Sequence, residues 1–96
     1  MRKNRYQIQL EKIEEDGSRG ASASFEFENH DDLFRIMDFM KSCGHFRDER
    51  DAVQFALGLK LLGDAMMRNR GELFRDFEPA FVSLMKKLKG RRNPER

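Results

Sequence analysis

Residues 51–71, DAVQFALGLKLLGDAMMRNRG, form the longest segment of the chain without a proline or a run of polar turn residues, and apolar side chains are densest there. On a helix with about 100° per residue, most of these apolar residues fall on one face. The pattern predicts a central helix over residues 48–70 that buries this face. The face consists of Ala52, Phe55, Ala56, Leu59, Leu62, Gly63 and Met66.

The opposite face of this helix is only partly polar. Val53, Leu57 and Leu61 lie there among charged and amide side chains. A helix that is apolar on two sides is usually covered on two sides. We therefore expect either the rest of the chain or a second copy to cover these three residues, which are the candidate self-interface.

Two glycines lie inside the predicted central helix, where each costs roughly 1 kcal/mol relative to alanine. The close approach of a neighbouring backbone would explain both Gly58 and Gly63. A kink or break of the helix at Gly63 is the alternative. The sequence leaves both explanations open.

The composition indicates a small, heavily charged domain. The 96 residues are enough for a single domain, 1–96, and 38% of them are charged, with a mean hydropathy of −0.80. The N-terminal residues lack the apolar run of a signal peptide, and no stretch approaches the roughly 20 apolar residues of a membrane span. The single cysteine cannot form an internal disulfide, which suits a reducing compartment. We therefore expect a cytoplasmic protein with no membrane span.

An antiparallel β-hairpin is predicted over residues 5–28, because apolar and polar side chains alternate with period two on both sides of a glycine-containing turn at 16–20. Ile13 is out of phase, so we expect a bulge or the strand end near Lys12. A lone hairpin is marginally stable in water. It must therefore lie on helices, join another sheet, or pair its edge with the hairpin of a second subunit. Its apolar residues are Tyr6, Ile8, Leu10, Ala21, Ala23, Phe25 and Phe27.

The predicted fold class is α+β, with the N-terminal antiparallel hairpin followed by three main α-helices, the second of them central. Asn29 is the expected N-cap of the first helix and Asp48 that of the second. Gly44 and Gly71 are the expected glycines at their C-terminal ends. The predicted segments are helices at about 30–43, 48–70 and 78–89, one helical turn near 72–77, and a polar basic tail at 91–96.

Two small clusters carry residue types used in metal binding and catalysis. His30 precedes two aspartates, Asp31 and Asp32, and imidazole with carboxylate suits a divalent metal. Neighbours on one turn seldom converge on one ion, and helix capping explains both carboxylates. Cys43 and His45 are close enough for a thiolate–imidazole pair, but nothing orients the imidazole. We therefore predict no catalytic, cofactor-binding or metal site.

The C-terminal segment is the most basic part of the chain. Clustered cations there are candidates for contact with a polyanion such as nucleic acid. Cations at a helix C-terminus also complement the helix dipole, and no aromatic side chain is interleaved to stack on bases. Nucleic acid is therefore the less favoured partner. The separation of this segment from the acidic hairpin would equally serve contact between copies or docking on another protein. The basic residues are Lys86, Lys87, Lys89, Arg91 and Arg92.

Six segments of the chain carry a resemblance to known proteins. They are FEFENHDDLF at 25–34, FALGLKL at 55–61, MRNR at 67–70, LF at 73–74, PAF at 79–81 and MKKLKG at 85–90. Together they resemble a family of small bacterial proteins, the domain-of-unknown-function family numbered 3861. The resemblance covers almost the whole chain in order and implies a bacterial, cytosolic, single-domain protein. It implies no activity and no catalytic residues.

The leading functional prediction is a non-enzymatic interaction protein, homodimeric, with the candidate self-interface or the hairpin edge at the contact. The alternative is a nucleic-acid-associated protein that uses its basic C-terminal segment. A third hypothesis is a small enzyme or ligand binder, which requires an apolar pocket with His30, Cys43 or His45 at its mouth. The sequence names no partner or ligand.

Overall fold

Two strands followed by four helices make up residues 3–91, the part of the chain that the computed structural model describes, with side chains described through residue 90. An N-terminal antiparallel hairpin followed by helices confirms the predicted α+β fold. The third helix is a single turn, as expected near residues 72–77, so three main helices remain. The elements are β1 (Asn4–Ile13), β2 (Arg19–Asn29), α1 (Leu33–Ser42), α2 (Glu49–Arg68), α3 (Glu72–Arg75) and α4 (Glu78–Arg91).

The chain divides into two compact units, residues 1–32 and 33–96. We call them the hairpin unit and the helical unit. In the hairpin unit, β1 and β2 pair antiparallel with Ile8 opposite Phe25. The register shifts between Glu11 and Ile13, which confirms the irregularity predicted from the phase of Ile13.

The turn of the hairpin is closed by hydrogen bonds on both sides of Gly17. The backbone N–H of Glu14 donates to the Ser18 carbonyl at 2.8 Å, and that of Gly17 donates to the Glu14 carbonyl at 2.9 Å. Gly17 has φ of +89°, which an L side chain adopts only at a cost. Asp16 Oδ1 accepts from the Ser18 hydroxyl at 2.7 Å and from its backbone N–H at 2.9 Å. These two bonds, the hydroxyl first, lower the pKa of Asp16 below its ordinary 3.8.

Helix α1 begins at Leu33, so the predicted start after an Asn29 N-cap is wrong. Asn29 is the last residue of β2, and its Oδ1 accepts from the backbone N–H of Asp31 at 2.8 Å. The carbonyl of Asp31 in turn accepts from the Tyr6 hydroxyl at 3.0 Å and from Asn4 Nδ2 at 3.1 Å. Long-range bonds to β1 therefore hold residues 30–31 in a turn outside the helix. The helix is followed by Gly44 at φ +92°, which confirms the predicted left-handed end.

The core of the helical unit lies where α1, α2 and α4 meet. Helix α2 contributes two alanines, Ala52 and Ala56, each 1% exposed, which let the neighbouring helices approach closely. Phe46 and Phe55 pack at the margin of this core with ring centroids 5.0 Å apart. The buried cluster consists of Met40, Ala52, Ala56, Leu59 and Leu88.

Both ends of α2 are capped by side chains. Asp48 Oδ1 accepts from the backbone N–H of Arg50 at 2.8 Å, which confirms the predicted N-cap. The helix ends at Arg68, two residues earlier than predicted. Asn69 caps it, because Asn69 Nδ2 donates to the Ala65 carbonyl at 2.8 Å and uses an acceptor left unpaired by the helix end.

Asp48→Asn is expected to reduce the loss of stability in acid. The Arg50 guanidinium and then the Arg50 backbone N–H lower the pKa of Asp48 below its ordinary 3.8. A depressed folded-state pKa gives stability that is present above the unfolded value and lost as pH falls through the folded value. Urea unfolding midpoints between about pH 2 and pH 6 measure this slope, and Arg50→Gln should reduce it in part. An unchanged slope in Asp48→Asn would contradict the expectation.

The packing within the described chain gives no reason for the two glycines of α2. A Cβ at Gly58 would meet no atom within 4 Å, and one at Gly63 would meet only the Phe81 ring, 3.5 Å away at Cζ. No neighbouring backbone among the described residues therefore requires glycine at either position. The helix also runs without a break from Glu49 to Arg68.

Gly63→Ala is therefore expected to stabilise the helical unit by about 0.5–1 kcal/mol. The substitution removes the helix penalty of glycine, and the added methyl group reaches ordinary contact distance from Phe81. Thermal unfolding should show a melting temperature several degrees higher. Gly17→Ala is the matched control and should lower it, because the turn needs a positive φ. Destabilisation by Gly63→Ala would show that Phe81 cannot accept the methyl group.

Candidate interaction surface

One side of the hairpin is entirely apolar over three successive cross-strand pairs. Tyr6 lies opposite Phe27, and their rings stack with centroids 5.3 Å apart. The Phe25 ring lies 6.3 Å from that of Phe27 along the same strand. These contacts join the side chains into one surface, which we call the hairpin apolar face. It consists of Tyr6, Ile8, Leu10, Ala23, Phe25 and Phe27.

The hairpin apolar face is open to solvent toward the turn. Leu10 is 70% exposed and Phe25 is 49% exposed, whereas Tyr6, Ile8 and Phe27 are half-buried. Large apolar side chains exposed side by side mark contact surfaces more often than scattered single ones do. The exposed part of this face is therefore the first candidate for a partner contact.

The other side of the hairpin carries only polar side chains over residues 5–11 and 22–28, and it has two exposed ion pairs. Arg5 Nη2 lies 3.1 Å from Glu26 Oε1, and Arg19 Nε lies 3.8 Å from Glu11 Oε1. Exposed pairs of this kind contribute little to stability. Because side chains alternate across a strand, the sheet has one charged side and one apolar side.

The predicted self-interface on α2 is less open than the hairpin apolar face. Val53, Leu57 and Leu61 are each half-buried, and none belongs to the buried cluster. We call these three residues the α2 stripe. Each of the three side chains still exposes some apolar area, but no one of them is as open as Leu10. The α2 stripe is therefore the weaker candidate for an interface.

The helical unit also exposes apolar residues that the sequence did not single out as a surface. Leu73, in the single turn α3, is 82% exposed, and no residue of α3 is buried. Val82 lies out of phase with the buried face of α4 and is 51% exposed. That phase was readable in the sequence, whereas the exposure of Leu73 was not, because a single turn has no periodicity. The others above one-third exposure are Phe34, Leu62, Met67 and Phe77.

The basic candidates lie at the C-terminal end of α4. Lys86, Lys87 and Lys89 are exposed, and none forms a salt bridge within residues 3–91. Arg91 is the last residue of α4, with a side chain outside the described set, and Arg92 lies outside the described residues altogether. Three lysines therefore remain as an observed basic patch.

The histidines and the cysteine do not assemble a site. His30 and His45 are exposed, while Cys43 is half-buried and its thiol donates to the Met40 carbonyl at 3.3 Å. Within residues 3–91, no group of three or more His, Cys, Asp or Glu side chains is arranged to hold a metal ion. Over the same residues, no helix is both long and apolar enough to cross a membrane.

The two units carry opposite charge. Residues 3–32 hold four Lys or Arg against eight Asp or Glu, whereas residues 33–91 hold twelve against eight. Within the hairpin unit, the acidic residues are concentrated in the turn and in β2. The cations of that unit are Lys3, Arg5, Lys12 and Arg19, so three of the four lie on or next to β1.

Comparison with known proteins gives a family and a similar fold. A family model described as "Domain of Unknown Function with solved-structure structure (DUF3861)" matches residues 4–90, which confirms the resemblance carried by the sequence segments. The chain is also similar to a crystal structure of a protein of unknown function from Pectobacterium atrosepticum SCRI1043, at 35% identity and a TM-score of 0.78. That similarity covers 92% of this chain and 98% of the other. No curated protein matches the chain significantly.

Proposed function

The chain belongs to the DUF3861 family, and we propose that it is a non-enzymatic interaction module that forms a homodimer through its hairpin and joins the hairpin apolar faces of two chains. The observation that carries the proposal is the exposure of Leu10 and Phe25, which are diagonal neighbours on one side of a two-stranded sheet. A hairpin of two strands is marginally stable alone, so a contact that extends the sheet and gives this face apolar neighbours stabilises both the hairpin and the complex.

A second copy is the simplest partner for such a face. Most homo-oligomers are symmetric, and a two-fold contact needs only one self-complementary patch on each chain. The helical unit contains its own buried cluster and does not present a comparable sheet face. Dimerisation through the hairpin therefore extends the smaller unit.

We infer a bacterial and cytoplasmic setting for this module. The relative from Pectobacterium atrosepticum supports the first part. The single cysteine, Cys43, supports the second, because a chain with one thiol gains no internal disulfide from an oxidising compartment.

Light scattering on a sizing column, at two salt concentrations, tests the homodimer. We expect a mass near twice the 11.4 kDa of the chain, with little change at high salt because the contact is mainly apolar. A mass of one chain at every concentration up to about 100 µM would overturn the proposal, since a stable dimer dissociates well below that.

The α2 stripe is the competing contact, and Leu57→Glu/Leu61→Glu separates the two. We expect this variant to keep the mass of a dimer and to unfold at a lower temperature, because both side chains are half-buried. If the variant is a folded monomer, the dimer contact lies at the α2 stripe and not at the hairpin.

Polyanion binding is a second candidate function, and the exposed, unbridged lysines of α4 support it. Three phosphate contacts imply an affinity that falls roughly fortyfold between 50 and 200 mM salt. Titration of duplex DNA with the wild-type chain and with Lys86→Gln/Lys87→Gln/Lys89→Gln measures this. Lys12→Gln, in the hairpin unit, is the control. Binding that is absent, or indifferent to salt and to the triple substitution, would remove this candidate.

A further inference from the structure

Strand β1 has an outer edge that no other strand covers within residues 3–91, because the sheet has only two strands. The strand is ten residues long, from Asn4 to Ile13. A long edge strand presents a row of backbone donors and acceptors that readily pair with another strand. Natural edges are often protected by a proline or a bulge; β1 contains no proline, and its register shift lies near its end, between Glu11 and Ile13, so residues 4–11 form a regular edge.

The sequence of β1 is self-complementary when two copies pair antiparallel about a two-fold axis at Ile8. Ile8 then lies opposite the partner's Ile8, and Tyr6 lies opposite the partner's Leu10, so the apolar side chains of both copies share one side. On the other side, Arg5 lies opposite the partner's Glu11. The axis repeats each of these pairs, which gives two opposite-charge pairs per dimer.

Other registers of the same edge lose the charge pair within the strand, because the axis at Gln7 pairs Glu11 only with Lys3, which precedes β1. A two-fold axis at Gln7 places Arg5 opposite the partner's Gln9, and an axis at Gln9 places Arg5 opposite the partner's Ile13. Neither register forms an Arg5–Glu11 pair. Shifting by one residue instead would turn the apolar side of one copy toward the polar side of the other.

The edge of β2 is a poorer match for itself. Between Gly20 and Asn29 it carries Glu26 and Glu28 and no lysine or arginine. Two-fold pairing with Phe25 opposite itself would bring four carboxylates onto one side of the sheet without a cation from the facing strand. Glu26 would lie opposite the partner's Ser24 and Glu28 opposite the partner's Ser22, so this pairing gains no opposite-charge pair.

We infer that the β1 edges of two chains pair in the Ile8-centred register, giving a four-stranded antiparallel sheet in the order β2, β1, then the partner's β1 and β2. This inference rests on the proposed homodimer and specifies its contact. It gives Leu10, which is 70% exposed in the single chain, an apolar cross-strand neighbour in the partner's Tyr6. The two hairpin apolar faces become one surface.

Single-cysteine crosslinking tests the register directly. In a Cys43→Ser background, Ile8→Cys should form an intermolecular disulfide under mild oxidation, because a residue opposite itself brings the two Cα atoms to about 5 Å. Phe25→Cys should not crosslink, because three strand spacings separate its two copies by about 14 Å. Cys43 is half-buried and its thiol donates one hydrogen bond, which serine preserves.

Charge exchange between chains tests the predicted ion pairs. Arg5→Glu alone and Glu11→Arg alone should each weaken the dimer by on the order of tenfold. Mixing the two variants should restore wild-type affinity in the heterodimer, because each mutated residue then faces its opposite charge. The Arg5→Glu chain also loses its internal ion pair with Glu26, and the Glu11→Arg chain loses its internal ion pair with Arg19. Mixing the two chains does not restore these internal pairs. Restoration therefore reports the contact between chains.

The outcomes separate this inference from the proposed function. A dimer in which Ile8→Cys fails to crosslink, or in which Phe25→Cys crosslinks instead, overturns the β1 pairing and leaves the homodimer standing. Failure of the mixed variants to recover affinity also overturns the register. A single-chain mass for the Cys43→Ser parent would overturn the homodimer itself. Crosslinking at Ile8 together with recovery in the mixture is the expected result.

Discussion

Leu10→Lys/Phe25→Lys is expected to convert the homodimer into a folded monomer. Both side chains are exposed in the single chain, so the substitutions remove little from its own core. In the dimer, they would remove the apolar contact between Leu10 and the partner's Tyr6 and would place four ammonium groups on one side of the joined sheet, where like charges repel. Light scattering should show the mass of one chain, and far-ultraviolet circular dichroism should show unchanged helix content.

The matched control is Gln9→Lys/Ser22→Lys, which adds the same two charges to the polar side of the hairpin. Ser22 lies opposite Glu11, so a lysine there gains a cross-strand carboxylate. We expect this variant to remain a dimer. Equal masses for the two variants, whether both are dimers or both are monomers, would show that the effect does not come from the hairpin apolar face.

Leu59→Ala is expected to lower the free energy of unfolding by about 2–4 kcal/mol, because it opens a cavity in the buried cluster. Leu59 is 7% exposed and belongs to the cluster where α1, α2 and α4 meet. No large side chain of the cluster is less than 2% exposed, so the core is small. The loss of one leucine therefore removes a substantial part of its buried apolar area. Urea unfolding followed by circular dichroism measures the loss.

Leu62→Ala is the matched control on the same helix, since Leu62 is 37% exposed. We expect that substitution to cost less than about 1 kcal/mol. A loss at position 62 as large as the one at position 59 would mean that α2 is buried on a different side from the one described.

The hairpin and the order of the helices follow from local patterns in the sequence. Alternation with period two and a glycine that adopts a positive φ at position 17 are enough to predict β1, the turn and β2. The N-cap at Asp48 is equally local, because the hydrogen bond spans only two residues. Features set by neighbours in sequence were therefore predictable.

The start of α1 was not predictable in this way. Asn29 and the two aspartates after it match the pattern of a helix N-terminus. The deciding contacts come from Tyr6 and Asn4, more than twenty residues away, which bond the carbonyl of Asp31. A local pattern cannot reveal an acceptor that a distant strand has already used.

The exposure of the candidate surfaces is also beyond local pattern. Leu10 and Leu59 are equally apolar in the sequence, yet one is 70% exposed and the other 7%. Alternation shows which side of a strand is apolar, but it cannot show what covers that side. For the same reason, the α2 stripe and the hairpin were equal candidates until their exposures could be compared.

Hydrogen exchange of the wild-type chain, above and below the concentration at which the dimer dissociates, tests the central proposal most directly. We expect amides of β1 to gain protection at the higher concentration, while those of α2 and α4 change little. Pairing of β1 edges adds backbone hydrogen bonds only to that strand. Concentration-dependent protection confined to the helical unit, or none at all, would contradict a homodimer built on the hairpin.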